Sequence, residues 1–238
     1  MKPLIIFKVG STFEHLAKQI GDFEEWIIQG LGFAPLTIEI IDPRQSLALP
    51  DPSCIAGAII TGSHSMVSDR EPWSEALAAW IVTATAIDVP LLGICYGHQL
   101  LAHALGGVVD YHPSGLEIGT VEIELSPHAA NDPLFGDLPS CFPAHATHRQ
   151  TVIKLPEKAV LLAKNAFEPH HAFRMGENAW GVQFHPEFNE PAMRCYIEQR
   201  CEDSQKTAKL LNQVIETSAA SQLLRKFVQV MQRENSLN

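Results

Sequence analysis

The sequence predicts an α/β fold with a doubly wound, mostly parallel sheet to which antiparallel strands are added. Short apolar strands alternate with amphipathic helices over residues 1–105, which is the pattern of parallel βαβ units. One of these strands, residues 55–60, is a near-continuous apolar run, as strands covered on both faces are. Residues 107–162 instead carry an alternating strand and frequent proline and glycine, which is typical of antiparallel strands and loops.

The individual elements follow from the spacing of apolar residues. An apolar stripe from Phe13 to Ile27 predicts one helix that ends near Gly30, because the spacing matches one helix face. A hairpin is expected between residues 172–174 and 179–184, with its turn around a glycine. The other predicted strands are residues 1–10, 36–41, 55–60, 89–94 and 121–125, and the other predicted helices are residues 73–87, a helix from 191 and a last helix over 203–232.

Length and composition indicate one globular domain of an acidic protein. The 238 residues are 46% hydrophobic and 18% charged, which suits a single hydrophobic core. We expect residues 1–190 to form the main domain and residues 191–238 to form a helical extension packed on it. A partner-binding role for the amphipathic last helix is the alternative. The net charge of −10 argues against nucleic acid or an anionic membrane surface as a partner.

Cysteine usage and the N-terminal segment predict a cytoplasmic protein. The five cysteines are odd in number and include no Cys-x-x-Cys pair, which indicates a reducing compartment rather than a disulfide framework. The apolar run at the N-terminus is too short for a signal peptide. No apolar run approaches the length of a membrane span.

Residues 89–102 predict a strand, a sharp turn and a helix, with one cysteine at the turn. Cys95 lies between Gly93 and Gly97, and the apolar positions that follow have helical spacing. Gly-x-Cys-x-Gly is the thiol counterpart of the Gly-x-Ser-x-Gly elbow, in which small neighbours permit a strained turn that exposes the nucleophile. The start of a helix also favours a thiolate. We therefore predict that Cys95 is a nucleophile.

A second segment supplies a candidate base and a carboxylate to orient it. His185 and Glu187 follow the strand expected at residues 179–184. On an extended chain, residues i and i+2 point to the same face. Glu187 can therefore hydrogen-bond one imidazole nitrogen of His185 and leave the other nitrogen free to act as base toward Cys95, which is the logic of an activated nucleophile.

Three motifs, at residues 59–63, 93–99 and 181–188, resemble those of the class I, triad-type glutamine amidotransferases, and they occur in that family's order. The resemblance covers roughly residues 1–190. It is nearest to the stand-alone branch related to the glutaminase domain of GMP synthase and to γ-glutamyl peptidases. It implies a flavodoxin-like class I glutamine amidotransferase fold.

The resemblance also implies further site residues. Backbone N–H groups of Tyr96, Gly62 and Ser63 would form an oxyanion hole, and Gln99 would contact the substrate. The chain carries Thr-Gly-Ser-His-Ser where synthase-linked members have a Ser-Gly-Gly-Pro-like run, and Gln150 stands where an acidic residue is usual. These departures argue against a close relation to the synthase-coupled branch and against free glutamine as the physiological substrate.

The remaining histidines form no recognisable metal motif. His145, His148, His170 and His171 fall in stretches expected to be loops. No His-x-x-x-His pair lies beside an acidic base. We therefore expect no metal ion and no organic cofactor.

Together these features predict a cysteine-dependent amidohydrolase. It would cleave a small-molecule γ-glutamyl amide, glutamine or a γ-glutamyl compound, through a γ-glutamyl thioester on Cys95, and would release ammonia or an amine. One alternative is a glutaminase subunit that delivers ammonia to a separate synthase, and an exposed apolar patch beside the active site would favour it. The other is a non-catalytic regulator on the same scaffold, against which the intact Cys-His-Glu set counts.

Overall fold

Strands and helices alternate through the first hundred residues of the computed structural model, which describes residues 2–32, 36–46 and 48–237. The strands are β1 (Leu4–Phe7), β2 (Ile38–Ile41), β3 (Gly57–Ile60), β4 (Leu91–Ile94), β5 (Val108–Tyr111), β6 (Glu117–Leu125), β7 (Cys141–His148), β8 (Gln150–Lys154), β9 (Val160–Lys164), β10 (Ala172–Met175) and β11 (Ala179–Val182). The helices are α1 (Glu14–Ile20), α2 (Phe23–Leu31), α3 (Pro72–Ala86), α4 (Tyr96–Ala104), α5 (Glu190–Arg200), α6 (Ser204–Asn212) and α7 (Ser218–Leu237).

The larger sheet has parallel strands on one side and antiparallel strands on the other. Its order is β2-β1-β3-β4-β11-β10-β9-β6-β7. The strands from β2 to β11 pair in parallel, whereas the pairings from β11 to β7 are antiparallel. A second, two-stranded antiparallel sheet is formed by β5 and β8. The predicted mostly parallel sheet with added antiparallel strands is confirmed, as is the β10–β11 hairpin.

Helices cover both faces of the parallel strands. Leu4 and Ile6 pack into the same core as residues of α2 and α7, and Ile5 and Phe7 pack into a second core with residues of α3 and α4. Successive side chains of a strand point to opposite faces, so β1 contributes to both cores and all four of its residues are fully buried. Burying each such side chain stabilises the fold by about 1.5–3 kcal/mol.

The prediction of one helix from Phe13 to Gly30 is wrong, because the helix is interrupted between α1 and α2. Gly21 has φ 90°, a conformation that side chains with a Cβ rarely adopt. The next residue, Asp22, starts α2 with a capping box, in which its carboxylate accepts from the helix backbone and the Glu25 carboxylate accepts from the Asp22 N–H. The two signals end one helix and begin the next.

The prediction of a single last helix over residues 203–232 is also wrong, because this segment forms two helices, α6 and α7. The Asp203 carboxylate caps α6 by accepting from the N–H groups of Gln205 and Lys206. None of the α6 residues is buried, whereas Leu223 and Phe227 of α7 lie fully buried in the core. Residues 213–217, between the two helices, are not helical, so the chain turns there.

The proposed boundary at residue 190 stays a prediction, and residues 1 and 238, the predicted ends of the main domain and the extension, lie outside the described residues. Across the part of the chain that is described, no helix is long and apolar enough to cross a lipid bilayer.

Candidate active site

Cys95 lies in a strained turn at the carboxyl end of β4, in the centre of the sheet. It has φ 50° and ψ −95° and is the residue that precedes α4. A positive φ at a non-glycine residue is strained and is found preferentially at functional sites. The Cys95 N–H donates to the carbonyl oxygen of Val182 on β11, at 2.8 Å, which ties the turn to the neighbouring strand. The predicted elbow is therefore present in the structure.

The two glycines that flank Cys95 are required by close backbone contacts. A Cβ on Gly93 would lie 2.3 Å from the carbonyl oxygen of Gly97, and a Cβ on Gly97 would lie 2.5 Å from the carbonyl oxygen of Ile60. Atoms that are not bonded cannot approach so closely. The spacing seen in the sequence thus reflects the approach of α4 to β3 and β4.

His185 and Glu187 follow the end of β11, the strand next to β4. The register pairs Val182 with Ile94, so the carboxyl ends of the two strands meet and Cys95 and His185 fall at the same edge. His185 Nδ1 donates to Glu187 Oε1 at 2.7 Å. The backbone N–H of His185 donates to the carbonyl oxygen of His145 at 2.8 Å. Both side chains are buried.

The charges around His185 favour its protonated form. Burial by itself lowers the pKa of His185, but the negative charges of Glu187 and Cys95 and hydrogen bonds to both side chains raise the pKa to about 10. The arrangement therefore keeps His185 protonated at pH 7 beside the Cys95 sulfur.

The loop after β3 lies directly against this pair. A Cβ on Gly62 would be 3.1 Å from His185 Cε1 and 3.8 Å from Cys95 Cβ, so a larger residue at position 62 would crowd the site. Ser63 follows Gly62 in the same loop. Tyr96 is the first residue of α4, and the N–H groups of a first helical turn have no partner within the helix. The structure thus brings the three predicted oxyanion-hole residues to the same edge as Cys95.

Gln99 and Gln150 lie in the pocket beside Cys95 and support each other. The side-chain amide of Gln99 donates to the carbonyl oxygen of Gln150 at 2.8 Å and to Gln183 Oε1 at 2.9 Å. The Gln150 amide donates to Ser68 Oγ at 2.5 Å. Both donors of Gln99 are therefore used within the protein, which leaves only its carbonyl oxygen for a ligand. The predicted contact of Gln99 with substrate stays a prediction.

The pocket above Cys95 is a narrow cleft with about 30 Å³ of space, and it is open to solvent on one side. Residues from the loop after β3, from α4, from the β7–β8 turn and from α5 line it. The described lining residues are Phe23, Ser63, His64, Ser65, Met66, Cys95, Tyr96, Gln99, Thr147, His148, Arg149, Gln150, His185, Tyr196 and Arg200. None of these residues is an aspartate or a glutamate.

A cluster of His64, Tyr196 and Thr12, of which the first two line the pocket, was missed by sequence reasoning. Thr12 Oγ1 donates to Tyr196 Oη at 3.1 Å, and Tyr196 Oη lies 3.0 Å from His64 Nε2. Burial, followed by the positive charges of Arg200 and His185, lowers the pKa of His64 to about 4. His64 is therefore neutral at pH 7, and its Nε2 accepts from the Tyr196 hydroxyl. These residues come from distant segments, and no local motif marks them.

A second missed cluster lies beneath the pocket, where Glu117 contacts two histidines. Glu117 Oε2 is 2.8 Å from His148 Nε2 and 3.1 Å from His171 Nε2, and all three side chains are buried. Burial would raise the pKa of Glu117, but hydrogen bonds to His148 and His171 and their charges hold it well below its usual range. Among the described residues this is the group whose ligand atoms could surround a metal ion, since they lie within 4.8 Å of one another. The expectation of no metal stays a prediction.

Two of the residues expected in loops are in a strand. His145 and His148 belong to β7, and alternate residues of this strand point toward the site and toward its supporting layer. The prediction of loops at these two positions is therefore wrong. The proline at position 143 and the polar residues around it conceal a strand that is stabilised by pairing with β6 over its whole length.

A cysteine, a histidine and a carboxylate at the carboxyl edge of a doubly wound sheet are an arrangement suited to acyl transfer by covalent catalysis. Comparison with known proteins identifies the family to which this chain belongs. The family model described as "Glutamine amidotransferase class-I" matches residues 20–201. The protein therefore belongs to the class I glutamine amidotransferase family, which confirms the resemblance.

Relatives by sequence are proteins named as GMP synthases or as part of one. The chain is 40% identical over 101 residues to a protein of Methanopyrus kandleri that is named as one subunit of a glutamine-hydrolysing GMP synthase, and the match covers 42% of this chain and 52% of that protein. It is 37% identical over 138 residues to the GMP synthase of Porphyromonas gingivalis, which covers 58% of this chain and 26% of that protein. The chain thus spans about half of the first relative's length and about a quarter of the second's.

Solved structures share the fold over nearly the whole chain. A glutamine amidotransferase from Thermotoga maritima superposes with a TM-score of 0.75 at 21% identity and covers 97% of both chains. A glutamine amidotransferase from Methylobacillus flagellatus superposes with a TM-score of 0.74 at 22% identity, over 98% of this chain and 95% of that one. At these identities the likeness establishes the fold.

Proposed function

We propose that the protein hydrolyses γ-glutamyl amides through a thioester on Cys95. The observation that carries the proposal is the buried set of Cys95, His185 and Glu187 at the carboxyl edge of the sheet, with the 2.7 Å hydrogen bond that orients His185. Membership of the class I glutamine amidotransferase family supports the same chemistry.

The reaction follows from the positions of these groups. The Cys95 thiolate attacks the side-chain carbonyl carbon of the γ-glutamyl amide, and the N–H groups of Tyr96 and of the Gly62–Ser63 loop stabilise the oxyanion. The C–N bond breaks as the His185 imidazolium gives its proton to the leaving amine. Water, deprotonated by neutral His185, then attacks the thioester, which yields the free γ-carboxylate and restores the thiolate–imidazolium pair.

A second candidate is a glutaminase subunit that passes ammonia to a separate synthase. The name of the Methanopyrus kandleri relative supports it.

The purified chain, assayed alone against glutamine and a panel of γ-glutamyl amides and peptides, tests the first proposal. We expect turnover by the isolated protein and a Cys95 acyl adduct detectable by mass spectrometry. Cys95→Ala should abolish both while the melting temperature and circular dichroism stay those of a folded protein. Turnover that persists in Cys95→Ala would refute the proposal.

The same protein, assayed with and without the macromolecular fraction of a cell extract, distinguishes the two candidates. Little activity alone and a large activation by that fraction would favour the second candidate. Activity that is high in the isolated protein and unchanged by the fraction would favour a free-standing hydrolase.

A further inference from the structure

A guanidinium group at the mouth of the pocket has a donor without a partner. Arg200 is the last residue of α5 and stacks on two aromatic rings, with its Cζ 5.8 Å from the centre of Phe13 and 5.9 Å from the centre of Tyr196. In the described part of the chain its Nε is buried without a hydrogen-bond partner. An unsatisfied buried donor is costly, and it indicates an acceptor that a ligand supplies.

Arg200 lies on the side of the pocket that holds His185. The Tyr196 ring, on which Arg200 stacks, is 4.9 Å from the Phe188 ring, and the Phe188 ring is 4.1 Å from the His185 ring. Gln99 and Gln150, which also line the pocket, are instead hydrogen-bonded to each other and to Ser68. In amide hydrolysis the group that protonates the leaving amine must lie on the leaving-group side. Arg200 therefore faces the leaving amine rather than the γ-glutamyl group.

The electrostatics of this side of the pocket agree with its geometry. The charges of Arg200 and His185 both act on His64 and contribute to lowering its pKa to about 4, so His64 lies within reach of both cations. The whole chain has 27 acidic and 17 basic residues, yet the described lining of the pocket contains two arginines and no carboxylate. A positively charged pocket in an acidic protein is suited to an anionic ligand.

We propose, on the basis of the function proposed above, that Arg200 binds a carboxylate on the leaving amine. The substrate class is then γ-glutamyl amino acids and peptides with a free carboxyl terminus, in preference to glutamine, whose leaving group is ammonia. The γ-amide C–N bond breaks, the amine of the departing amino acid or peptide takes the His185 proton, and water releases the glutamyl group as glutamate. Neither an oxidant nor a co-reactant other than water is needed.

The test uses a matched pair of substrates, γ-glutamylglycine and γ-glutamylglycinamide, which differ in the charge of the leaving group. We expect the wild-type protein to prefer the acid by about tenfold in kcat/KM, which is the size of one charge-assisted hydrogen bond at a partly exposed site. The preference should appear mainly in KM, because the carboxylate is bound alike before and during reaction. Glutamine should be hydrolysed less efficiently than γ-glutamylglycine.

Variants assign the preference to Arg200. Arg200→Gln should reduce the acid-to-amide ratio to about one, and Arg200→Lys should retain part of it because the charge remains. Arg194→Gln, which removes an arginine of α5 that pairs with Glu190 and is not among the described lining residues of the pocket, should leave the ratio unchanged. Melting temperatures of all variants separate a loss of recognition from a loss of folding.

Three results would overturn the proposal. Equal efficiency of the wild-type protein on the acid and the amide would show that no group reads the carboxylate. An Arg200→Gln variant that loses the same factor on both substrates would place Arg200 at the γ-glutamyl group or in a structural role. The absence of turnover and of a Cys95 adduct with every γ-glutamyl compound would instead refute the proposed function itself.

Discussion

Glu187→Gln tests how the protein maintains a protonated histidine in a buried site. The amide keeps the size of the carboxylate but removes the charge that faces His185 Nδ1 at 2.7 Å. A hydrogen bond to a charged group contributes about 1.5–3 kcal/mol, and each 1.36 kcal/mol of barrier corresponds to about a factor of ten in rate. We therefore expect kcat to fall about a hundredfold while the variant stays folded.

The pH dependence gives a second measurement of the same effect. In the wild-type protein, Glu187 and Cys95 raise the pKa of His185 to about 10 despite its burial. His185 thus stays protonated, and able to donate to the leaving amine, until the pH rises toward that value. Without the Glu187 charge the pKa of His185 falls, so the alkaline limb of the kcat profile should move to lower pH by about one unit or more.

The assay is steady-state hydrolysis of a γ-glutamyl amide from pH 6 to pH 11, with Glu190→Gln as the matched control. Glu190 lies three residues further on, and its side chain is 40% exposed and pairs with Arg194, so this control should keep the wild-type rate and profile. A Glu187→Gln variant with kcat within threefold of wild type and an unmoved alkaline limb would refute the reasoning.

Three further predictions concern the nucleophile, its turn and the layer beneath it. Brief, substoichiometric iodoacetamide treatment at pH 7 should label Cys95 before the exposed Cys54 and Cys141, because Cys95 lies beside the protonated His185 and at the start of a helix, both of which favour the reactive thiolate. Mass-spectrometric mapping that finds another cysteine labelled first would contradict this. Gly97→Ala should lower the free energy of unfolding by at least about 1–3 kcal/mol in urea titrations, since its Cβ would lie 2.5 Å from a backbone oxygen; an unchanged midpoint would show that the turn can relax. Glu117→Gln should destabilise the fold by about 3 kcal/mol at pH 7. The pKa of Glu117 is lower in the folded protein than in the unfolded chain, so its contribution to stability is complete above the unfolded pKa and is lost as the pH falls toward the folded pKa. The difference from wild type should therefore shrink below about pH 4, and a difference independent of pH would contradict the charged network.

Local patterns carried much of the fold and the centre of the site. The apolar runs that became β1, β3 and β4 are buried on both faces, so their composition alone identifies them as strands of a parallel sheet. Gly93, Cys95 and Gly97 are informative for a related reason. Close backbone contacts exclude a Cβ at both glycines, which lie two residues before and after the nucleophile. The requirement for glycine at these two positions therefore appears in the sequence as a short, recognisable motif.

Helix boundaries and the second half of the sheet were harder to predict from the sequence. The stripe from Phe13 to Ile27 continues in phase across Gly21, so periodicity alone predicts one helix, although the φ of 90° and the capping box at Asp22 break it. Strand β7 lacks an apolar run because its residues face a polar site on one side, and it becomes a strand through pairing with β6.

The sequence by itself determined the parallel sheet, the position of Cys95 in its turn and the pairing of His185 with Glu187, because each of these depends on residues within a few positions of one another. Only the tertiary structure decided what surrounds them. Arg200 on α5 reaches Phe13 near α1, and Glu117 on β6 reaches His148 and His171. Such contacts join residues that are far apart in the chain. The energetic effect of a buried charge or an unpaired donor depends on the neighbours that folding places around it, so no local sequence pattern predicts it.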